Sequence, residues 1–174
     1  MVMPVRFGTD GIRGRASDEI TSDLAYRLGR AVASVFSVPI FVGYDTRESS
    51  PTLAAAVLAG LADGGATGVN LGYFTTPGVA VIAQQRGGAG VVVSASHNPY
   101  YDNGLKVLGV GGAKLDHATE AAVESARHGR AEAHTGTAPS APAAAFGPSP
   151  AAPSPASAFE PDSEPGGGPP SYPN

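Results

Sequence analysis

Cysteine is absent from the sequence, which excludes disulfides, thiolate metal sites and a cysteine nucleophile. A basic excess is absent too, because 11 Lys and Arg stand against 15 Asp and Glu and give a formal net charge of −4. Such a chain lacks the positive surface that the phosphate backbone of a nucleic acid attracts. We therefore expect no nucleic-acid partner.

Long apolar runs are also missing from the sequence. No stretch approaches the roughly 18 apolar residues that a membrane-spanning helix needs. Met1–Gly14 has no apolar core of the kind that a signal peptide carries. We therefore expect no membrane association, and a cytoplasmic location.

Large apolar side chains are scarce in residues 128–174, where the composition changes abruptly to Ala, Pro, Ser and Gly. This segment holds 11 of the 16 prolines, and a chain of that kind cannot offset the entropy of ordering. We predict a disordered, low-complexity tail. We also hypothesise that the tail is non-native, the product of a wrong reading frame in GC-rich DNA or of a truncated gene model. Residues 1–127 remain as one folded domain.

Residues 1–127 contain apolar patterns of two kinds. Helical spacing of apolar residues predicts four helices, which begin near Thr21, Ser50, Pro77 and Asp116. Short apolar runs predict four strands, at Pro39–Tyr44, Gly68–Phe74, Ala89–Val93 and Leu105–Leu108. The alternation indicates an α/β domain in which helices cover both faces of a mostly parallel sheet.

Two local signals refine this outline. Ser50-Pro51 is typical of a helix N-cap followed by a first-turn proline, and Asn103-Gly104 is typical of a turn before the last strand. Ligands in open α/β sheets bind beyond the carboxyl ends of the strands. Asp45 and the Ser94–Asn103 loop follow strands at that edge, so we expect a site there.

The segment from Ser94 to Lys106 carries most of the chemically active side chains. It includes two serine hydroxyls, an imidazole, asparagine amides and a lysine within 13 residues. A serine nucleophile needs a neighbouring base and a means of stabilising an anion, and His97 and Lys106 could serve Ser96 in this way. Cations and loop N–H groups also suit a phosphate. A polar loop without chemistry fits the composition as well, whereas a serine hydrolase does not, since Gly-x-Ser-x-Gly is absent.

Phe7–Gly14, which reads FGTDGIRG, is the second candidate segment. Its three glycines permit close backbone approach, and Arg13 offers a planar fork suited to phosphate oxygens. A structural loop in which Asp10 and Arg13 pair is the alternative. Neither a Walker loop nor a dinucleotide fingerprint is present. In a third segment, Arg47 is expected to pair with Asp45 in a structural role.

Three segments, in this order, resemble the α-D-phosphohexomutases: FGTDGIRG at Phe7–Gly14, GYDTRESSP at Gly43–Pro51 and SASHNPYYDNGLK at Ser94–Lys106. The resemblance covers residues 4–126. It implies the fold of the family's first domain and an isomerase that moves a phosphoryl group. The pattern is most like the bacterial branch that converts glucosamine 6-phosphate to glucosamine 1-phosphate, and phosphomannomutase/phosphoglucomutase relatives share much of it.

The resemblance also implies roles for single residues. Ser96 matches the serine that is phosphorylated, donates its phosphoryl group to the sugar phosphate and recovers one from the bisphosphorylated intermediate. His97 and Lys106 match positions linked to proton transfer and charge stabilisation, and Arg13 matches an arginine near the phosphoserine. Mg²⁺ is expected on the Ser96 phosphate, with carboxylate ligands from a second domain.

The family has four domains, and this sequence resembles only the first. The DGDGDR-type carboxylate loop of the second domain is absent from the sequence, so we expect a fragment that is inactive alone. The expected partners are a sugar phosphate and either the missing domains or a second copy, bound through the face that those domains would cover. A non-catalytic one-domain remnant is the alternative.

Overall fold

The computed structural model describes residues 11–128, which alternate strands and helices along the chain. The helices are α1 (Ser22–Val35), α2 (Ser50–Asp63), α3 (Thr76–Arg86) and α4 (His117–His128). The strands are β1 (Ile12–Arg15), β2 (Ile40–Tyr44), β3 (Gly68–Tyr73), β4 (Ala89–Val93) and β5 (Asp102–Leu108). The predicted tail beyond His128 and the Phe7–Asp10 part of the first motif lie outside the described residues.

Local sequence signals set the ends of several helices. Thr21 Oγ1 accepts a hydrogen bond from the Leu24 N–H at 3.2 Å and caps α1, which begins where the sequence predicts a helix start. Thr75 Oγ1 accepts from the Gly78 N–H at 3.2 Å and caps α3. α3 then ends at Gly87, whose φ of 63° is left-handed and costs a glycine little. No helix within residues 11–128 is long and apolar enough to cross a membrane.

The five strands form one sheet in the order β1-β5-β4-β2-β3. β2 pairs in parallel with β3 and β4, whereas β5 pairs antiparallel with β4 and with β1. Among the described strands, β5 is therefore the one that points the opposite way, while the other four share a direction. The predicted α/β fold with a mostly parallel sheet is confirmed, with antiparallel pairing confined to the β5 side.

Side chains alternate between the two faces of the sheet. Ile40 and Val42 of β2 are fully buried in a cluster with α1, α2 and α4. Phe41, between them, packs on the other face with Val79 and Ala83 of α3. Helices therefore cover both faces, as predicted, and the sheet edges beyond the strand ends are left for loops.

Two local predictions are wrong, and both concern buried polar side chains. Ser50 does not cap α2, because the cap position is Ser49, and Ser50 is a fully buried first residue whose Oγ donates to Asp45 Oδ1 at 2.6 Å. Asn103-Gly104 is not a turn but lies inside β5. It pairs there with β1, a strand that the sequence did not indicate.

Candidate functional site

The carboxyl ends of β2 and β4 lie side by side because the two strands are parallel neighbours. Loops 45–49 and 94–101 follow these strands and border an open cleft of about 1010 Å³. Its lining includes, from these loops, Asp45, Arg47, Ser94, Ser96, Tyr100 and Tyr101. The cleft therefore lies at the edge of the sheet where the sequence predicts a site.

Ser96 has an unusual backbone conformation for a residue with a side chain. Its φ of 57° lies in the left-handed region, and between residues 11 and 128 it is the one non-glycine residue with a positive φ. Holding such a residue there costs about 1–3 kcal/mol, which the surroundings must offset. Ser96 is also exposed, so its hydroxyl is accessible at the wall of the cleft.

Ser94, by contrast, uses its hydroxyl inside the loop. Its Oγ accepts a hydrogen bond from the Ser96 N–H at 3.0 Å, and its hydroxyl lies near enough to the Asp45 carboxylate to lower the pKa of that group. The Ser96 hydroxyl makes no hydrogen bond within the described part of the chain. The two serines of the motif thus differ: one hydroxyl supports the loop, and the other is accessible to a reactant.

Arg13 and Lys106 lie on neighbouring strands of the sheet. Arg13 is opposite Gly104 in the β1–β5 register, and Lys106 lies two residues further along β5, opposite Val92 of β4. Residues two apart on a strand share a face, so both cations are on the same face of the sheet. The Arg13 Nε atom is buried and has no hydrogen-bond partner among residues 11–128. Lys106 therefore lies beside β4, the strand that leads into the 94–101 loop, and Arg13 lies one strand further away on the same face.

His97 is exposed on the loop directly after Ser96 and makes no hydrogen bond to any other described residue. The lining of the cleft includes Ser96 but not His97, Arg13 or Lys106. Of the four predicted site residues, the structure therefore places only Ser96 at the wall of this cleft. Within residues 11–128, no hydrogen bond joins the Ser96 hydroxyl to any of those three side chains.

The β2–α2 loop is joined to the serine loop by polar contacts that the sequence only partly predicts. The expected ion pair forms between Arg47 Nε and Asp45 Oδ2 at 3.0 Å. The buried Asn103 amide donates to Ser49 Oγ at 2.8 Å and to Ser50 Oγ at 2.9 Å. These contacts fix the start of β5 against the start of α2, a role hidden in the sequence because Asn-Gly is so typical of a turn.

The Asp45 carboxyl is shifted towards its charged form. Burial opposes ionisation, but hydrogen bonds from Ser50, Ser94 and Arg47 outweigh it, so the pKa of Asp45 lies below its usual value. A depressed pKa contributes stability that is present above the unfolded-state pKa of about 3.9. That stability is lost as the pH falls through the folded-state pKa.

Asp45→Asn should lower the free energy of unfolding of the full chain by about 1–3 kcal/mol near neutral pH, because hydrogen bonds to a charged acceptor are lost. The deficit should shrink as the pH falls below the unfolded-state pKa of about 3.9, and it should vanish once the native carboxyl, whose pKa is lower, is itself protonated. Urea unfolding followed by circular dichroism at neutral and at acidic pH measures both effects. Asp18→Asn, in an exposed turn, is the control and should change stability little. An equal deficit at both pH values would contradict the ionised role of Asp45.

A magnesium site is not complete within the described residues. Between residues 11 and 128, no group of three His, Asp or Glu side chains is arranged to hold a metal ion. Two carboxylates around the serine loop are engaged, Asp45 by Arg47 and Asp102 by the Asn98 amide at 3.1 Å. Mg²⁺ requires several oxygen ligands in near-octahedral geometry. These residues alone therefore do not fit the ion.

Comparisons with known proteins agree on one family. The model for "Phosphoglucomutase/phosphomannomutase, alpha/beta/alpha domain I" matches residues 4–133. Phosphoglucosamine mutases of Desulforamulus reducens and Rhodococcus erythropolis are 48% and 45% identical over 124 and 133 residues. These alignments cover 68% and 72% of this chain, but 28% and 30% of the relatives. The chain thus spans less than a third of the length of the curated relatives it matches.

Solved structures share the fold. A protein of Thermus thermophilus, provisionally assigned as a phosphomannomutase, matches with a TM-score of 0.66 and 30% identity, over 72% of this chain and 30% of its own. A phosphoglucomutase/phosphomannomutase family protein of Burkholderia thailandensis matches with a TM-score of 0.63 and 28% identity, over 73% of this chain and 30% of its own. Both support the α/β architecture read from the sequence.

Proposed function

The chain belongs to the phosphoglucomutase/phosphomannomutase family, and from this premise we propose that it carries the phosphoserine of a phosphoglucosamine mutase. Such an enzyme interconverts glucosamine 6-phosphate and glucosamine 1-phosphate. The observation that supports the proposal most is the state of Ser96. Its hydroxyl is exposed beyond the carboxyl end of β4, on a backbone held in the left-handed region. A backbone held in that way sets the direction of the Ser96 Cα–Cβ bond, from which the phosphoryl group would be presented.

In the proposed reaction, the bond between Ser96 Oγ and phosphorus breaks as a sugar hydroxyl forms a new bond to phosphorus. The departing Ser96 oxygen takes up a proton from water, so the products are the unmodified serine and a bisphosphorylated sugar. This intermediate turns over in the site and returns its other phosphoryl group to Ser96 Oγ, so the serine ends phosphorylated and the sugar phosphate isomerised. His97 accepts the proton of the attacking hydroxyl, while Arg13 and Lys106 stabilise the charge on the transferring group.

The glucosamine substrate is favoured by the degree of similarity. The curated phosphoglucosamine mutases are 45–49% identical to this chain over the matched region. The two solved relatives from the broader phosphomannomutase group are 28–30% identical. A phosphomannomutase or phosphoglucomutase is therefore the second candidate, and the ranking rests on sequence identity rather than on a sugar-binding residue.

Catalysis also requires Mg²⁺ ligands that the matched segment, less than a third of the relatives' length, does not supply. A phosphorylated Ser96 would offer one oxygen ligand to Mg²⁺, which when bound neutralises charge on the phosphoryl group. The remaining ligands would come from segments that correspond to the unmatched part of the relatives, or from a partner chain. The incomplete metal site among residues 11–128 is also what favours a non-catalytic remnant as the alternative. The cytoplasmic location and a second copy as partner remain predictions.

A chimera tests the proposal directly. Residues 1–133 of this chain replace the matching segment of the Desulforamulus reducens phosphoglucosamine mutase. With Mg²⁺ and a catalytic amount of bisphosphorylated sugar, we expect the chimera to turn over glucosamine 6-phosphate. The 174-residue chain alone should show no turnover above background. A folded but inactive chimera would favour the remnant, and activity of the chain alone would show that it assembles a complete metal site without the other segments.

A further inference from the structure

Arg47 lies in the loop after β2 and contacts the backbone of the 94–101 loop, which carries Ser96. We propose that Arg47 is a positioning residue that holds Ser96 in its left-handed conformation and so directs the serine hydroxyl. This inference rests on the proposed role of Ser96 as the phosphoryl carrier. It goes beyond that role, because it names what sets the geometry of the carrier.

The guanidinium of Arg47 is surrounded by backbone oxygens of the loop. Four carbonyl groups accept from its two Nη atoms, those of Ser96, Asn98, Pro99 and Asp102, at 2.9, 2.8, 2.5 and 3.0 Å. The Arg47 side chain is only 11% exposed, and its bonds to Asn98 and Asp102 are partly buried, whereas those to Ser96 and Pro99 lie at the surface. A single side chain thus contacts the backbone at four points between Ser96 and the start of β5.

Asp45 anchors the guanidinium to the sheet. Its Oδ2 accepts from Arg47 Nε at 3.0 Å, and its Oδ1 accepts from the Arg47 N–H at 3.1 Å and from Ser50 Oγ at 2.6 Å. Asp45 directly follows β2, whose neighbour β4 leads into the serine loop. Asp45 and Arg47 therefore connect the end of β2 to the loop that follows the neighbouring strand β4.

Ser96 is held on both sides of its own backbone. Its N–H donates to Ser94 Oγ at 3.0 Å, and its carbonyl accepts from Arg47 at 2.9 Å. A non-glycine residue leaves the left-handed region unless its surroundings hold it there. Without Arg47, the carbonyl side of Ser96 loses its contact and the peptide can rotate. The hydroxyl would then point in a different direction, although the side chain itself is unchanged.

The first experiment measures the conformation of Ser96 in the isotope-labelled full chain by NMR. A positive φ brings the amide hydrogen of a residue close to its own Hα. The nuclear Overhauser cross-peak between these two hydrogens of Ser96 is therefore expected to be strong in the native chain. We expect it to weaken in Arg47→Ala and in Arg47→Lys, because an ammonium group cannot bridge four carbonyl oxygens as a guanidinium fork does. Arg86→Ala, at the exposed end of α3, is the matched control and should leave the cross-peak unchanged.

The second experiment separates a positioning role from general stabilisation. Millimolar guanidinium chloride should restore part of the Ser96 cross-peak in Arg47→Ala. It should leave the cross-peak of the native chain unchanged, because the Arg47 guanidinium already fills the site. In the chimera, Arg47→Lys should lower kcat by about 10²-fold with KM nearly unchanged, since misplacement of a reacting group by about 1 Å costs that much. If Arg47→Ala fails to fold, Arg47→Lys carries both measurements, because it keeps the charge and most of the stem.

Two outcomes would overturn the role of Arg47. One is a Ser96 cross-peak that stays strong in both folded variants. The other is a chimera whose kcat is unchanged by Arg47→Lys. Failure of the proposed function looks different: the chimera with native Arg47 would then form no phosphoenzyme, while the NMR comparison in the full chain would still decide whether Arg47 holds the loop.

Discussion

Ser96→Ala in the chimera is expected to abolish the phosphoenzyme and to lower kcat on the order of 10⁶-fold, as removal of a covalent nucleophile does in other enzymes. The reason is that the proposed reaction passes through a phosphoryl group on Ser96 Oγ, for which alanine has no substitute. Binding of the sugar phosphate should change much less, since the hydroxyl is not proposed to hold the substrate. Steady-state kinetics with glucosamine 6-phosphate and trapping of the phosphoenzyme measure the two effects.

Ser94→Ala is the informative comparison, because the two hydroxyls lie two residues apart in one loop. Ser94 supports the loop through its contacts with the Ser96 N–H and with Asp45. Loss of one such hydrogen bond should reduce kcat by roughly tenfold and leave the phosphoenzyme detectable. Ser34→Ala, whose hydroxyl donates to a backbone carbonyl in α1, serves as a control away from the site. Retention of the phosphoenzyme in Ser96→Ala with its loss in Ser94→Ala would reverse the assignment.

Lys106→Ala in the chimera should lower kcat by about 10²–10³-fold, the effect expected when one group that stabilises developing charge is removed. The structure supports this through position: Lys106 lies on β5 opposite Val92, beside the strand that leads into the serine loop. Its loss should affect the transfer step more than KM. Lys106→Arg should recover part of the rate, because it restores the positive charge. Recovery should be incomplete, because the planar guanidinium does not place that charge where the compact ammonium does.

Lys114→Ala is the matched control for this prediction, because Lys114 is the only other lysine of the chain. It lies after β5, where Leu108 and Lys114 form an isolated bridge, and it is exposed. Its removal changes net charge by the same amount and should leave kcat within about twofold of the parent. Equal losses in the two variants would show that the effect of Lys106 is one of overall charge.

The larger features of the fold could be predicted because they depend on local patterns. Apolar spacing and a hydroxyl cap locate α1, Pro77 and Gly87 bracket α3, and the β-branched run of β4 marks a buried strand. β1 could not be predicted, because its four residues include a glycine and two arginines and become a strand only through pairing with β5. The Asn103-Gly104 prediction failed for the same reason, since a distant partner overrode the strongest local turn signal.

The candidate site divides in a similar way. The serine loop and its place at the sheet edge could be predicted, since both follow from one motif and from the order of the strands. The contribution of Arg47 to the loop could not, because its four loop acceptors lie 49 to 55 residues away in the sequence. They are also backbone carbonyls, which every residue has, so no residue type marks them. The left-handed conformation of Ser96 was hidden for the same reason, as it depends on those contacts.

The central claim is that Ser96 carries the phosphoryl group, and the location of the phosphate tests it most directly. The chimera is incubated with Mg²⁺ and bisphosphorylated sugar, quenched, digested and mapped by tandem mass spectrometry across the peptide that contains Ser94 and Ser96. A single phosphate on Ser96, absent from the Ser96→Ala variant, is the predicted result. A phosphate on Ser94, or a chimera that turns over substrate with neither serine phosphorylated, would contradict it.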